Sequence, residues 1–287
     1  MKWYKKYLSV FEKPFDEANQ VVLEEVRANL HKLQNSHSNG PLVSVVIIAH
    51  NEEQRLLACL WSLSDSITNF PIEFIGVDNN SSDHTADVYK AAGISWYFEE
   101  KKGPGYARSC GSLHAKGKYY ICIDSDTMYP PLYIETLVSR LEKPGIVAVS
   151  SLWSFLPEKK IPAWKLFIYE SLRDVSLWLQ SFKRPELCVR GMVFAYNLEC
   201  GRNVDYRCDI IRGEDGMMAF NLKKYGKIAF VRSRKARVMS SSDTLRNQGS
   251  LFHAYKIRLN MLIKRLKGYF VKSEFYKDQE TNLIKNK

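Results

Sequence analysis

A chain of 287 residues that is 45% hydrophobic can bury a large core, which excludes a disordered or fibrous class. No run of about 18 uncharged apolar residues occurs and Met1 to Lys6 leads straight into charges, so neither a spanning helix nor a secretory leader is expected; the expected setting is cytoplasmic, with peripheral contact at the inner membrane face left open. Six cysteines without a CxxC pair exclude a cysteine metal cluster, and the formal charge of +11 is concentrated from Arg232 onward, where 14 Lys/Arg face 4 Asp/Glu; such a tail attracts polyanions of any kind.

In chain order, apolar Val22, Val26, Leu30 and Leu33 follow helical spacing, and "NSHSNGP" then breaks the pattern, so residues 1–40 read as an N-terminal helical extension and linker. "LVSVVIIAH" is β-branched and apolar on both faces, as a central parallel strand requires, and "NEEQRLLACLWSL" continues at helical spacing. "IEFIGVD" repeats the pattern, with Ser82 or Asp83 placed to cap the next helix. "GISWYFEE", the glycine-containing "KKGPGYARSCGSLHAKG" with Arg108, and "KYYICID" complete the run. Strand alternating with helix predicts an open parallel sheet with helices on both faces, whose ligand sits beyond the carboxyl ends of the strands. Those ends carry Asn51 and Glu52, Asp78, and Asp124 with Asp126, which makes residues 41–131 a ligand-binding half. Residues 132–246 form a second half: a helix through Tyr133 to Leu141, a strand "GIVAVSSLW", a long aromatic helical segment through Trp178, and "CVRGMVFAYNLE". Residues 247–287 are a basic tail in which Leu251, Phe252, Tyr255, Leu259, Leu262, Ile263 and Leu266 make the stripe of a basic amphipathic helix.

Two acidic motifs carry the chemistry. Asp124 and Asp126 end an apolar strand at alternate positions, so they point to opposite sides unless the chain turns between them. Alone, such a pair reads as a solvated strand end or as a clasp in which one carboxylate and a diphosphate hold a hard cation. Glu214 and Asp215 open a helix through Met218, Phe220 and Leu222, where acids also serve simply to complement the helix dipole.

Taken as an ordered set, "VSVVIIAHNEE", "VDNNSSDHT", "GPGYARSCGSLHAKGKYYICIDSD" and "GEDGMMAFNLKKYGKIAF" resemble the family 2 glycosyltransferases of the GT-A fold, inverting enzymes that use nucleotide-diphosphate sugars. The resemblance implies an α/β fold with a mostly parallel central sheet flanked by helices. It also implies roles: Asp78 on the base of the nucleotide, Asn51 and Glu52 shaping its pocket, Arg108 near the nucleotide, Asp124 near the ribose and Asp126 on Mn²⁺ or Mg²⁺. Asp215 would be the general base, with Glu214 beside it. The implied partners are a nucleotide-diphosphate sugar donor and a glycan or lipid-linked acceptor, with peripheral membrane contact through residues 251–267 and no nucleic acid. Two departures stand out. Thr127 replaces the third acid that often follows D-x-D, and "ARVMSSSDTLRNQG" lacks the later histidine, which leaves Arg246 and Arg237 as candidate phosphate contacts. Rival readings are a sugar nucleotidyltransferase, which would bring a glycine-rich basic loop where this chain has "HNEEQRL", and a non-catalytic polyanion binder, which leaves both acidic motifs unexplained.

Overall fold

The computed structural model describes residues 3–15, 19–37, 40–158, 161–210 and 212–243. Arg246 and the tail helix expected over 251–267 lie outside the described residues.

A 3-10 turn at Trp3–Ser9 and helix α1 (Gln20–Gln34) precede the first strand. The alternation then runs β1 (Val43–Ala49), α2 (Glu53–Ser64), β2 (Ile72–Asp78), α3 (Thr85–Ala92), β3 (Ser95–Phe98), α4 (Pro104–His114) and β4 (Tyr119–Asp124). The remainder is β5 (Thr127–Met128), α5 (Tyr133–Leu141), β6 (Ile146–Ser151), β7 (Trp153–Phe155), α6 (Ala163–Ser181), β8 (Phe194–Asn197), α7 (Leu198–Arg202), α8 (Glu214–Leu222), β9 (Lys227–Val231) and β10 (Val238–Ser240).

Seven strands form one sheet in the order β3-β2-β1-β4-β8-β6-β9, which runs unbroken across residue 131. All neighbours are parallel except β8, antiparallel to both β4 and β6, so the sheet is mostly parallel as the sequence led one to expect. A small second sheet, β5-β10-β7, lies beside it.

The side-chain period of two sorts the strands into two cores. Val45, Ile47, Phe74, Ile121 and Ile123 face α1, α2, α3 and α5, where Val26, Leu56, Leu60, Tyr89 and Leu137 are buried with them. Val46, Ile75, Val77, Tyr120 and Cys122 face α4 and α8, through Ala107, Cys110, Met218 and Leu222. Close packing has a visible cause at Gly111: a Cβ there would lie 2.4 Å from Val46, so only glycine lets α4 settle onto β1.

Register then builds the site. Ala49 pairs with Asp78 and Ile48 with Asp124, so β1, β2 and β4 end together at one edge and deliver their polar residues to the same place.

Candidate active site

At that edge lies a cleft of about 310 Å³, lined by His50 and Glu52 after β1, Asn79 after β2, Pro104, Ala107 and Arg108 of α4, Asp124 and Asp126, and Glu214 and Asp215 of α8. The two acidic motifs, 88 residues apart between Asp126 and Glu214, thus share one cavity.

The chain turns immediately after β4, at Ser125 and Asp126, which is why both aspartates reach the cleft instead of opposite faces of the sheet. Asp126 is held on two sides: Thr127 donates its hydroxyl to Oδ1 at 2.9 Å and Ser241 donates to Oδ2 at 2.7 Å. Ser241 comes from the segment where the family resemblance leads one to look for a histidine, and Thr127 stands where a third acid was to be looked for. Both departures thus end on the same carboxylate.

Arg108 is 1% exposed and ties the motifs together. Its Nη2 donates to Asp124 Oδ1 at 2.5 Å, its Nη1 donates to the Ile123 carbonyl at 3.3 Å, and its Nε lies 3.5 Å from Asp215 Oδ1. The guanidinium therefore forms the floor of the cleft and spaces Asp124 from Asp215. Gly191 packs against this assembly so closely that a Cβ would sit 2.2 Å from Arg108 Nη2 and 2.7 Å from Asp215 Oδ2.

Asp78 is buried at the end of β2, where its Oδ1 accepts the Ser81 amide at 3.2 Å. Asn51, at φ 56°, works on the loop beside the cleft: its Oδ1 accepts the Ser82 amide at 2.7 Å and its own amide donates to Ser81 Oγ at 2.9 Å. The residue that caps α3 is His84, whose side chain makes no capping bond, so neither Ser82 nor Asp83 takes that position; Asp83 instead accepts the Thr85 amide just inside α3 and the Glu53 amide at the start of α2, and so ties the two helix starts together. Arg237 does not reach the cleft. It is turned to Asp174 and Glu170 of α6, which corrects the expectation of a phosphate contact there.

Sequence reasoning missed four contributors. Asn79 knits the cleft's rim: its Oδ1 accepts the Gly103 amide at 2.8 Å, its Nδ2 donates to the Lys101 carbonyl at 2.7 Å, and its carbonyl accepts from His50 Nδ1 at 2.7 Å. Arg55, in the first turn of α2, meets Asp243 at 2.6 Å, Glu12 at 3.2 Å and Glu52 at 3.6 Å. Gly191 and Ser241 are the others. A glycine just ahead of an apolar strand signals close backbone approach, so Gly191 was findable; nothing local marks Ser241.

Electrostatically the cleft is crowded with acid: Glu52, Asp124, Asp126, Glu214 and Asp215 line it together with Arg108. Burial, reinforced by Asp126, pushes Glu52 up to about 8; burial, reinforced by Asp215, pushes Glu214 up to about 8. Burial also raises Asp215, against the pull of Arg108, and raises Asp126 with help from Asp124. Desolvation and like charge act in the same direction here, and a cation would relieve both.

Among the described residues, no group of three or more His, Cys, Asp or Glu side chains is arranged to hold a metal by itself. The donor set nonetheless suits a hard divalent cation held jointly with a diphosphate, because one carboxylate oxygen donor in an acidic cleft is what such a shared site needs from the protein. The N-terminal turn of α4 also lines the cleft, and helix N-termini favour phosphate.

Comparison with known proteins agrees with this construction. Residues 44–189 match the model of the family described as Glycosyl transferase family 2. An uncharacterized glycosyltransferase of Rickettsia prowazekii is 34% identical over 113 residues, 38% of this chain and 34% of that protein. The chain spans 31% to 54% of the length of the first curated relatives it matches. Among solved structures, glucosyl-3-phosphoglycerate synthase from Mycobacterium tuberculosis, in complex with Mn²⁺, UDP-glucose and phosphoglyceric acid, superposes with a TM-score of 0.54 at 22% identity, covering 81% of this chain and 83% of that one. A mannosyltransferase from Pyrobaculum calidifontis in complex with GDP-Man and Mn²⁺ gives 0.55 at 16% identity, covering 90% and 74%. At these identities the two structures speak for the fold, and the family match, spanning half of the sequence, speaks for descent: the chain belongs to glycosyl transferase family 2.

Proposed function

We propose that the protein is a metal-dependent, inverting glycosyltransferase that moves one sugar from a nucleotide-diphosphate donor to an acceptor hydroxyl, in the synthesis of a glycan or glycolipid. The observation that carries this reading is the sharing of one cleft by Asp124, Asp126, Glu214 and Asp215, with Arg108 between Asp124 and Asp215. Complexes of the fold relatives with Mn²⁺ and UDP-glucose or GDP-Man support the choice of donor class and cation.

In this reading Asp78 meets the nucleotide base, Asn51 and Glu52 shape the pocket around it, and Asp124 takes a ribose hydroxyl. Asp126, steadied by Thr127 and Ser241, holds Mn²⁺ or Mg²⁺ together with the donor diphosphate. When bound, the cation neutralises the charge that builds on the departing diphosphate. Arg108 orients Asp124 and Asp215 from below. Asp215 accepts the proton of the attacking hydroxyl at its carboxylate, and Glu214 positions the acceptor or the base. One displacement with one base inverts the anomeric centre, by the same geometry that governs inverting hydrolases.

An acidic cleft disfavours the polyanion-binding alternative. The loop after β1, which puts Glu52 in the cleft where a nucleotidyltransferase would want glycines and cations, disfavours the other.

The test is release of nucleoside diphosphate from a panel of nucleotide sugars with Mn²⁺, followed by NMR of the product anomer. Asp215→Asn should lower turnover about 10²- to 10⁴-fold with donor affinity kept, and the product should have the anomeric configuration opposite to the donor's. Undiminished turnover in Asp215→Asn would remove the base assignment, and retained configuration would remove the single displacement.

A further inference from the structure

Away from the cleft, α6 carries a feature that the transfer reaction does not use. Its inner side is fully engaged: Leu166, Tyr169 and Leu177 are buried, and Arg173, 2% exposed, stacks 4.4 Å from the centre of the Trp153 ring. Both acids of the helix also turn inward. Glu170 accepts from Ser154 Oγ and from the Phe155 amide at 2.7 Å each, and Asp174 pairs with Arg173 and Arg237.

The outer side is exposed along the helix and largely apolar, with Ser171 at its middle bonded back to the Phe167 carbonyl. Phe167, Ile168, Val175 and Trp178 lie three, four, eleven and fourteen residues after Trp164, on one helical face, and Phe182 continues the line just past the C-terminus; Phe167 is 72% and Phe182 65% exposed. Singly exposed apolar side chains are ordinary, but a continuous stripe of large ones marks an interaction surface. At 1.5 Å per residue, the two tryptophans stand about 21 Å apart along the axis.

Charge selects the partner. No acid of α6 faces outward, since Glu170 and Asp174 are the only two in Ala163–Ser181. Each tryptophan carries a cation against its ring: Lys165 lies 5.5 Å from the Trp164 ring and Arg232 5.2 Å from that of Trp178. Lys183, just after Phe182, and Arg234 and Lys235, just after Arg232, are exposed as well, so this further positive charge belongs to the Trp178 end. Aromatic rings beside Lys and Arg around an apolar stripe match the headgroup level of a bilayer, and the cations match anionic lipid. Among the described residues no helix is long and apolar enough to cross a membrane, so the contact would lie in the plane of the surface.

We infer that α6 docks the protein on the surface of an anionic bilayer, its outer face entering the interface. Docking there sets the small β5-β10-β7 sheet between lipid and cleft, because α6 grips β7 and β10 leads directly to Ser241 on Asp126. The inference stands independently of the transfer chemistry.

The test uses the full chain and phosphatidylcholine vesicles with or without phosphatidylglycerol, read by co-flotation and by quenching of tryptophan emission with brominated lipid. The sequence after Trp178 contains no tryptophan, so quenching does not come from the basic tail, and the variant that lacks Trp164 and Trp178 separates α6 from Trp3, Trp61, Trp96 and Trp153. Co-flotation with anionic vesicles, blue-shifted emission and strong quenching are expected, weakening as salt rises. Phe167→Glu with Val175→Glu should weaken flotation about tenfold or more at an unchanged circular dichroism spectrum. Trp164→Phe with Trp178→Phe should keep flotation and lose the quenching. Absence of flotation, flotation without quenching, or a lipid-free dimer that the glutamate variant disperses without any vesicle binding would each overturn the inference.

Discussion

Arg108 shows most directly how single residues set this site. A guanidinium with 1% exposure is tolerable only because Asp124 and Asp215 flank it, and the two carboxylates in turn depend on it for their spacing. Arg108→Met keeps the volume but strands both carboxylates, so we expect a loss of about 3–5 kcal/mol of stability in denaturant unfolding, alongside loss of turnover. A stability within about 1 kcal/mol of the wild type would mean that the ion pairs do not hold this floor. At this scale the sequence was informative about chemical type and poor about contact. Asp124, Asp126, Glu214 and Asp215 announce themselves as acids at element ends. Arg237 looked equally available for phosphate and proves to be spent on Asp174, a partner 63 residues away that no local pattern reveals.

Among the elements, the loops between strands and helices carry the specificity of shape. Asn79 joins the end of β2 to the glycine loop before α4 by accepting from Gly103 and donating to Lys101. Asn79→Ala removes both bonds and should cost about 1–3 kcal/mol. Because the loop borders the proposed donor site and not the base, donor KM should rise several-fold with kcat little changed; steady-state kinetics that show the reverse would misplace the loop's role. The parallel run was legible because β1, β2 and β4 are apolar on both faces and six or seven residues long; β3, a four-residue edge strand with no buried side chain, was legible only from its place after Gly93. The antiparallel sense of β8 was not, since direction depends on the path of the return and not on the composition of "FAYN". Strands β5, β7 and β10 have two or three residues each, too few for any periodicity to register.

For the whole molecule, the basic sequence encloses an acidic cleft, and that contrast has a pH signature. Glu52 and Glu214, pushed up to about 8 by burial, keep protons in the folded chain that an unfolded chain at the ordinary value of 4.5 has released. Over that window the folded state binds more protons, so stability is greatest toward the acidic side and falls as pH rises through about 8. Thermal unfolding followed across this window should therefore show a declining Tm, and Glu214→Gln should flatten the decline; a Tm that rises with pH would contradict the burial of these carboxyls.

The same contrast supplies the most direct test of the central claim, that the cleft takes a nucleotide-diphosphate sugar together with a cation at Asp126. The measurement is the Tm of the full chain with Mn²⁺ and each of a panel of UDP- and GDP-sugars, against the same series for Asp126→Ala. At donor concentrations near 100 Kd, stabilisation of about 2.7 kcal/mol should raise the Tm by roughly 5 °C or more for the matching donor, only with Mn²⁺ present, and the shift should vanish in Asp126→Ala. A panel in which no donor moves the Tm, or a shift that Asp126→Ala retains in full, would contradict it.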